Sequence, residues 1–457
     1  MKNRLINKIA GILIMTCLLG PAVSCKKYLE EKSNNSLVVP TTIADLQALL
    51  DDGYIMNTST PMYAETVSDN YFATDDMLNS QDEVNRNAYC WLPVKYTFQN
   101  DWSAAYTVVY NSNLCLERIE QVERNGYNES DWNNVKGSAL FFRAYSFLNL
   151  AWTYAKAYDP NTYQTDLGIV LRLGSNFNVK SQRANVKDSY DQIIADAKNA
   201  VKYLPDQPKH VLRPSRAAAY GLLARAYLSM GKADSSLKYS NLCLGIKNTL
   251  MDYNNPSQVN INNSYPFSKF NAETVFYTEA RSYSLYIQYN GLALADTTLF
   301  ASYADHDLRK KAYFEPNGNY QNFNGHYSNN DEFFTGIATD EMYLTRAESY
   351  ARIGLKDQAL ADLNTLLLKR WDNTFSPFTA PTSNDALKIV LTERRKELLN
   401  RGLRWMDIKR LNKENADIIP KRVFMGQSFT LSPNGDRYAL PLPTDIVELG
   451  VTQNPGW

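Results

Sequence analysis

The chain has 457 residues, of which 44% are hydrophobic and 21% charged, with 48 basic and 48 acidic side chains. That composition belongs to a folded globular protein and excludes a disordered tail. The first 24 residues carry three bases and no acid, so without them the balance is (48 − 3) − 48 = −3, which argues against a nucleic-acid partner.

Residues 1–24 read as a signal peptide: Lys2, Arg4 and Lys8 form a basic start, and 9–19 an apolar core of the right length. Ala22-Val23-Ser24-Cys25 resembles the small-residue site before the acylated cysteine of bacterial lipoproteins, with Ala22 where Leu is usual. The alternative is a plain secretory signal, with Cys25 an incidental thiol. Lipidation at Cys25 implies a protein tethered by acyl chains rather than spanning the membrane, because no later stretch reaches the ~20 apolar residues of a membrane helix. Residues 25–40 are a polar tether, and 41–457 a single domain.

Along that domain, Thr41 or Thr42 is expected to cap a helix running to Leu50, with a turn at Asp52-Gly53. Segment 65–72 is polar and aromatic, without a clear period. Helices are expected over 101–121 and 131–158, then a loop over 160–181, then a helix over 189–204 that pairs with 131–158. A second hairpin spans 216–244 and closes the N-terminal half (41–245). Residues 246–335 lose periodicity and read as a loop-rich insertion, a length that is unusual unless it carries function. A third hairpin at 339–370 and a fourth pair at 385–411 belong to the C-terminal part (336–457).

Two of these hairpins are copies. Shifting 220–241 forward by 347 − 224 = 123 positions lays Tyr220, Ala224, Tyr227, Gly231, Asp234, Leu237 and Asn241 on Tyr343, Ala347, Tyr350, Gly354, Asp357, Leu360 and Asn364. Tyr, Ala and Tyr at i, i+4 and i+7 share a helix face, and the small residue admits a neighbouring helix. Each glycine falls where the first helix should stop in left-handed backbone, and each aspartate is a candidate to start the second. The spacing resembles the tetratricopeptide pattern, and such units stack because one alone cannot bury its apolar face. The fold class expected is therefore mainly α: about four stacked helical hairpins, with long irregular loops forming a ligand-binding face.

Catalytic signatures are missing from the sequence. It contains no His-Glu-x-x-His, Gly-x-Ser-x-Gly, phosphate-cradling glycine loop or Cys-x-x-Cys, and only three histidines (His210, His306 and His326). The acid pairs Asp75-Asp76 and Asp331-Glu332 could bind calcium or act as glycosidase carboxylates, but neighbouring loop acids are more often solvated surface. No cofactor, metal or enzyme activity is expected. Cys115 and Cys243 read as buried thiols, and Cys90 is left open.

The segment 393–410 is the most specific. It contains Arg394 or Arg395, Glu397-Leu398, Gly402, Arg404-Trp405, Asp407 and Arg410, and it resembles the corresponding motif of the SusD/RagB-like family. Arg401 stands where that family usually has Glu. The endings 440–446 and 453–457, the Asp305-His-Asp-Leu-Arg309 element and the Ser68-Asp69-Asn70 segment are similar to the family as well. Glu397, Arg404, Asp407 and Arg410 are spaced for ion pairs that lock the last hairpin, with Trp405 packing there.

The resemblance implies a surface glycan-binding lipoprotein that acts as the lid of a SusC-like TonB-dependent transporter and delivers oligosaccharides to it. A RagB-like peptide importer subunit is the alternative, and a surface glycosidase a more distant one. Tyr (31) outnumbers Phe (18), which suits half-wet surfaces where a ring packs and its hydroxyl finds a partner. The ligand-contact candidates are Asp69, Asn70, Tyr71, Trp91, Tyr96 and Trp102 in the N-terminal half, and Tyr283, Tyr286, Tyr320 and Phe323 in the insertion. Trp102 reads equally well as core.

Overall fold

The computed structural model describes residues 40–280 and 293–457. The signal peptide, Cys25, nearly all of the tether, Tyr283 and Tyr286 lie outside the described residues.

Among the described residues, ten helices of eight or more residues form the frame: α1 (Ile43–Leu50), α2 (Asp101–Ile119), α3 (Glu129–Tyr154), α4 (Val186–Tyr203), α5 (Arg216–Ser229), α6 (Ala233–Ile246), α7 (Thr339–Arg352), α8 (Lys356–Leu367), α9 (Ser383–Glu397) and α10 (Arg404–Asn412). Local chemistry sets many of the starts. Thr42 caps α1 in a capping box with Asp45, and Asn100 does the same for α2 with Ser103. The side chains of Asn185, Ser215 and Thr382 cap α4, α5 and α9.

The two copied hairpins are α5–α6 and α7–α8. Gly231 and Gly354 end their first helices at φ +68° and +87°, backbone that a Cβ would strain. Ala224 and Ala347 are fully buried. The aspartates do not cap, because Lys232 and Leu355 occupy the cap positions. Asp234 and Asp357 sit inside the first turn instead, where the partial positive charge of the helix start favours a carboxylate.

From α2 to α8 each helix packs on the next, with α1 against α2 and α3. The last pair opens out: α9 packs on α7 and α8, whereas α10 turns back to α3 and α5. The long helix α3 is buried along most of its length, and α10 closes its end: Lys409 Nζ donates to the Trp152 and Ala155 carbonyls at 2.7 and 2.5 Å. Trp405 stacks on Tyr438 with ring centres 5.0 Å apart. No described helix is long and apolar enough to cross a membrane.

The segment 245–338 is organised by short strand pairs and a second core. Tyr71–Phe72 pairs antiparallel with Leu294–Ala295, Glu279–Ala280 with Phe333–Phe334, and Thr274–Phe276 with Ile337–Ala338. A tight hairpin joins Phe314–Asn317 to Tyr320–Phe323. The 160–181 region likewise contains a strand, Leu167–Val170, paired with Arg183–Asn185. In the second core Tyr253, Tyr277, Tyr303, Tyr313 and Tyr327 are all at most 2% exposed. The half-wet surface expected for the tyrosines is therefore absent here. Their hydroxyls are satisfied internally: Tyr253 to Tyr313 (3.1 Å), Tyr303 to the Lys396 carbonyl (2.7 Å) and Tyr327 to Glu273 (2.7 Å).

A buried ionic lattice joins this core to the helices. Arg309, fully buried, meets Asp307, Glu393 and Glu397 at 2.7, 2.5 and 3.0 Å. Glu397 also takes Arg370 at 2.7 Å, and Arg370 reaches Glu273 at 2.8 Å. Farther along, Asp407 holds Arg394 and Arg410 at 2.9 and 2.8 Å, and Arg410 forks onto Glu348 at 2.5 and 2.8 Å. Arg401 pairs with Asp340 at 3.3 Å and lies over Tyr327 and Phe334.

Burial works to raise the Glu348 carboxyl, but Arg410, Arg352 and Arg394 outweigh it and bring it from 4.5 down to about 2. Its stabilising contribution is therefore complete above pH 4.5 and disappears as pH falls through 2. Glu348→Gln is expected to lose about 3–5 kcal/mol in urea denaturation at pH 7, as for a broken buried pair, and the gap to the parent should shrink below pH 4.5. Cys90, Cys115 and Cys243 are free and buried, and burial pushes them up to about 11, 12 and 12. Alkylation by iodoacetamide at pH 8 is expected only once the protein is unfolded.

Candidate ligand-binding site

Two described cavities are lined by residues singled out from the sequence. The first, of about 190 Å³, lies where the 65–72 segment, the insertion and the turn after α9 meet. Asn70, Tyr71 and Phe323 line it together with His326, Asn400 and Phe333.

Its floor is fixed by the ionic lattice. Arg404 forks onto Asp69 at 2.5 and 2.8 Å, and Arg395 adds a contact at 3.4 Å. Burial opposes the charge on Asp69, but Arg404 holds its carboxyl well below the usual range. Asp69 is thus occupied as an anchor, and next to it Asn70 turns into the wall. The Asn70 amide nitrogen donates to Glu65 at 2.8 Å, and its backbone carbonyl accepts from Asp296 N at 3.0 Å. Burial pushes Glu65 up to about 7, against the hydrogen bonds from Asn70 and Ser68.

Three buried atoms of this wall lack a protein partner: Asn70 Oδ1, His326 Nδ1 and Asn400 Oδ1. Their residues are 2%, 6% and 6% exposed. An unpaired buried polar atom costs roughly 1–3 kcal/mol, so three around one cavity mark a place that a donor-bearing ligand or water would complete. His326 stacks on Phe333 with ring centres 5.1 Å apart, and burial lowers it to about 4, which keeps the imidazole neutral above that pH. Asn400 adopts left-handed backbone at φ +56°. Neither His326 nor Asn400 was singled out from the sequence. The signals available were one of only three histidines in an aromatic stretch, and an Asn-Arg-Gly turn between two helices.

The other candidates separate. Tyr320 is exposed and meets Phe72 edge-on at 5.1 Å, outside the lining of the first cavity. Trp91 and Tyr96 turn no face to solvent. The Trp91 indole donates to the Val67 carbonyl at 3.1 Å with Arg422 over its ring, and the Tyr96 hydroxyl donates to the Pro441 carbonyl at 2.6 Å. Tyr71, also buried, donates to the Thr66 carbonyl at 2.6 Å and lies under Arg422. Trp102 packs on Tyr106 and Tyr154. It forms part of the second cavity, a more apolar cleft of about 480 Å³ shared with Phe98, Tyr110, Phe177 and Leu449.

Residues 27–228 match the SusD-like family described as starch-binding and associating with the outer membrane, and residues 268–457 match the SusD family. No curated protein matches the chain. Among solved structures, a Bacteroides vulgatus protein superposes with TM-score 0.76 at 21% identity over 92% of this chain and 100% of its own. A SusD superfamily protein of Bacteroides thetaiotaomicron gives 0.74 at 19% over 91% and 100%. A SusD-like carbohydrate binding protein of Bacteroides vulgatus gives 0.65 at 19% over 90% and 97%.

The anchor and the cavity wall should respond oppositely to mutation. Asp69→Asn loses a bidentate ionic contact and is expected to cost about 2–3 kcal/mol. Asn400→Gly removes an unpartnered acceptor and suits left-handed backbone, so stability should stay level or rise by up to about 1 kcal/mol. Urea denaturation of the two variants measures both.

Proposed function

The chain belongs to the SusD/RagB-like family, and from that membership we propose that it is a cell-surface lipoprotein, anchored through Cys25, that captures oligosaccharides and delivers them as the lid of a SusC-like TonB-dependent outer-membrane transporter. The observation that carries the glycan reading is the cavity with three unpartnered buried polar atoms, at Asn70, His326 and Asn400. Sugar hydroxyls both donate and accept hydrogen bonds, and the C–H face of a sugar ring packs on aromatic edges such as that of Phe323. The reading is of binding and release: four amides, a neutral imidazole and two carboxylates line the cavity among aromatic rings.

The lid reading draws on family membership, on the lipoprotein-like leader and on the tether. Loops hold the ligand, and the stacked helices offer a stiff body for the transporter to carry.

The apolar cleft around Trp102, Tyr110 and Phe177 favours a second reading, in which a side chain of a peptide ligand is held there. One screen separates the two. Calorimetry with mixed oligosaccharides and with mixed short peptides is expected to give heat with the sugars, and Asn70→Leu should weaken that binding at least tenfold. Binding of peptides alone, lost on Trp102→Ala, would instead establish the peptide reading. Extraction of native membranes in mild detergent should bring down a TonB-dependent barrel at near-equal stoichiometry, and Cys25→Ser should release the protein from the membrane. Recovery of the protein alone would sink the transporter assignment.

A further inference from the structure

We propose that the first cavity selects neutral, hydroxyl-rich oligosaccharides and rejects acidic ones bearing uronate or sulfate groups; the proposal rests on the glycan reading. The wall holds three unpaired buried polar atoms beside the amides of Asn322 and Asn324. Asn70 spends its amide N–H on Glu65, which leaves Oδ1 as the free end. The His326 ring is neutral because it is buried, and its Nδ1 has no hydrogen-bond partner. Asn400 adds a further unpaired oxygen.

Two carboxylates, Glu315 and Asp331, line the same cavity, each with one oxygen occupied. Asn324 donates to Glu315 at 3.0 Å, and Tyr265 donates to Asp331 at 2.7 Å. Among the described residues no Lys or Arg lines the cavity. The nearby cations are committed elsewhere: Arg404 and Arg395 to Asp69, and Arg401 to Asp340 between the rings of Tyr327 and Phe334.

A sugar hydroxyl can donate to any of these acceptors. A carboxylate or sulfate brings no hydrogen to donate, and among the described residues it meets two like charges with no lining cation to offset its lost hydration. The selectivity therefore arises mainly from charge, and it should weaken with salt.

The test is calorimetry at pH 7 with a pool of neutral gluco-, xylo- and manno-hexasaccharides and with hexagalacturonate. The neutral pool is expected to bind, and hexagalacturonate to bind at least tenfold more weakly. The Glu315→Gln/Asp331→Asn double variant, altered at two exposed positions, should narrow that ratio, and so should raising NaCl from 50 to 500 mM. A ratio below tenfold in the parent, or one unmoved by the double variant, overturns the selectivity and leaves the glycan reading standing. Absence of binding by both sugar classes overturns the glycan reading itself.

Discussion

The arrangement depends on guanidinium groups held inside the protein. Arg309, Arg370, Arg394, Arg401 and Arg410 are each almost wholly buried, and each is met by carboxylates on one side or by aromatic faces on another. Withdrawing such charges from water costs several kcal/mol per ion, which good geometry recovers only in part. The lattice is therefore a weak source of net stability but a strict specification of position, because a displaced partner strands a charge. Glu397 at the end of α9 can bond Arg309 and Arg370 together only if the insertion lies in one place. Helix stacking leaves that placement open, and the ions close it.

The same constraint explains the tyrosines. A residue that must pack against apolar neighbours while serving a buried charge needs a flat ring and a terminal hydroxyl, and Tyr253, Tyr303 and Tyr327 supply both. Arg370 and Arg309 lie over the first two rings, while the Tyr327 hydroxyl reaches Glu273. Phenylalanine would keep the stacking and orphan the polar ends.

What could be read from the chain alone follows the range of the forces involved. The hairpins at 216–246 and 339–367 were legible because spacing, small residues and a terminal glycine act within one turn or two. The caps were not, since a lysine and a leucine begin α6 and α8 despite an aspartate nearby. The motif around Glu397 and Arg404 announced ion pairs but not their partners: Arg404 reaches across to Asp69 rather than staying within its own pair of helices. Aromatic residues were the least legible. Trp91 and Tyr96 carry the groups that a sugar platform needs, yet Arg422 and the Pro441 carbonyl, both far along the chain, use them internally. Phe323 and Asn70 do meet at one cavity, through strand pairings such as Tyr71–Phe72 with Leu294–Ala295 that leave no local trace.

The bond between Arg404 and Asp69 spans 335 positions of sequence, and this bears on when the cavity can exist. Closing so long a loop is entropically unfavourable until the helices between are stacked, so the wall at Asn70 and the turn at Asn400 can meet only late in folding. Fragments containing either half would lack the cavity, however well their helices formed. A chain emerging residue by residue from the ribosome is in that half-built condition until its last segment arrives. The cavity is then a report on completion: only a molecule whose C-terminal part has returned to its N-terminal part contains it.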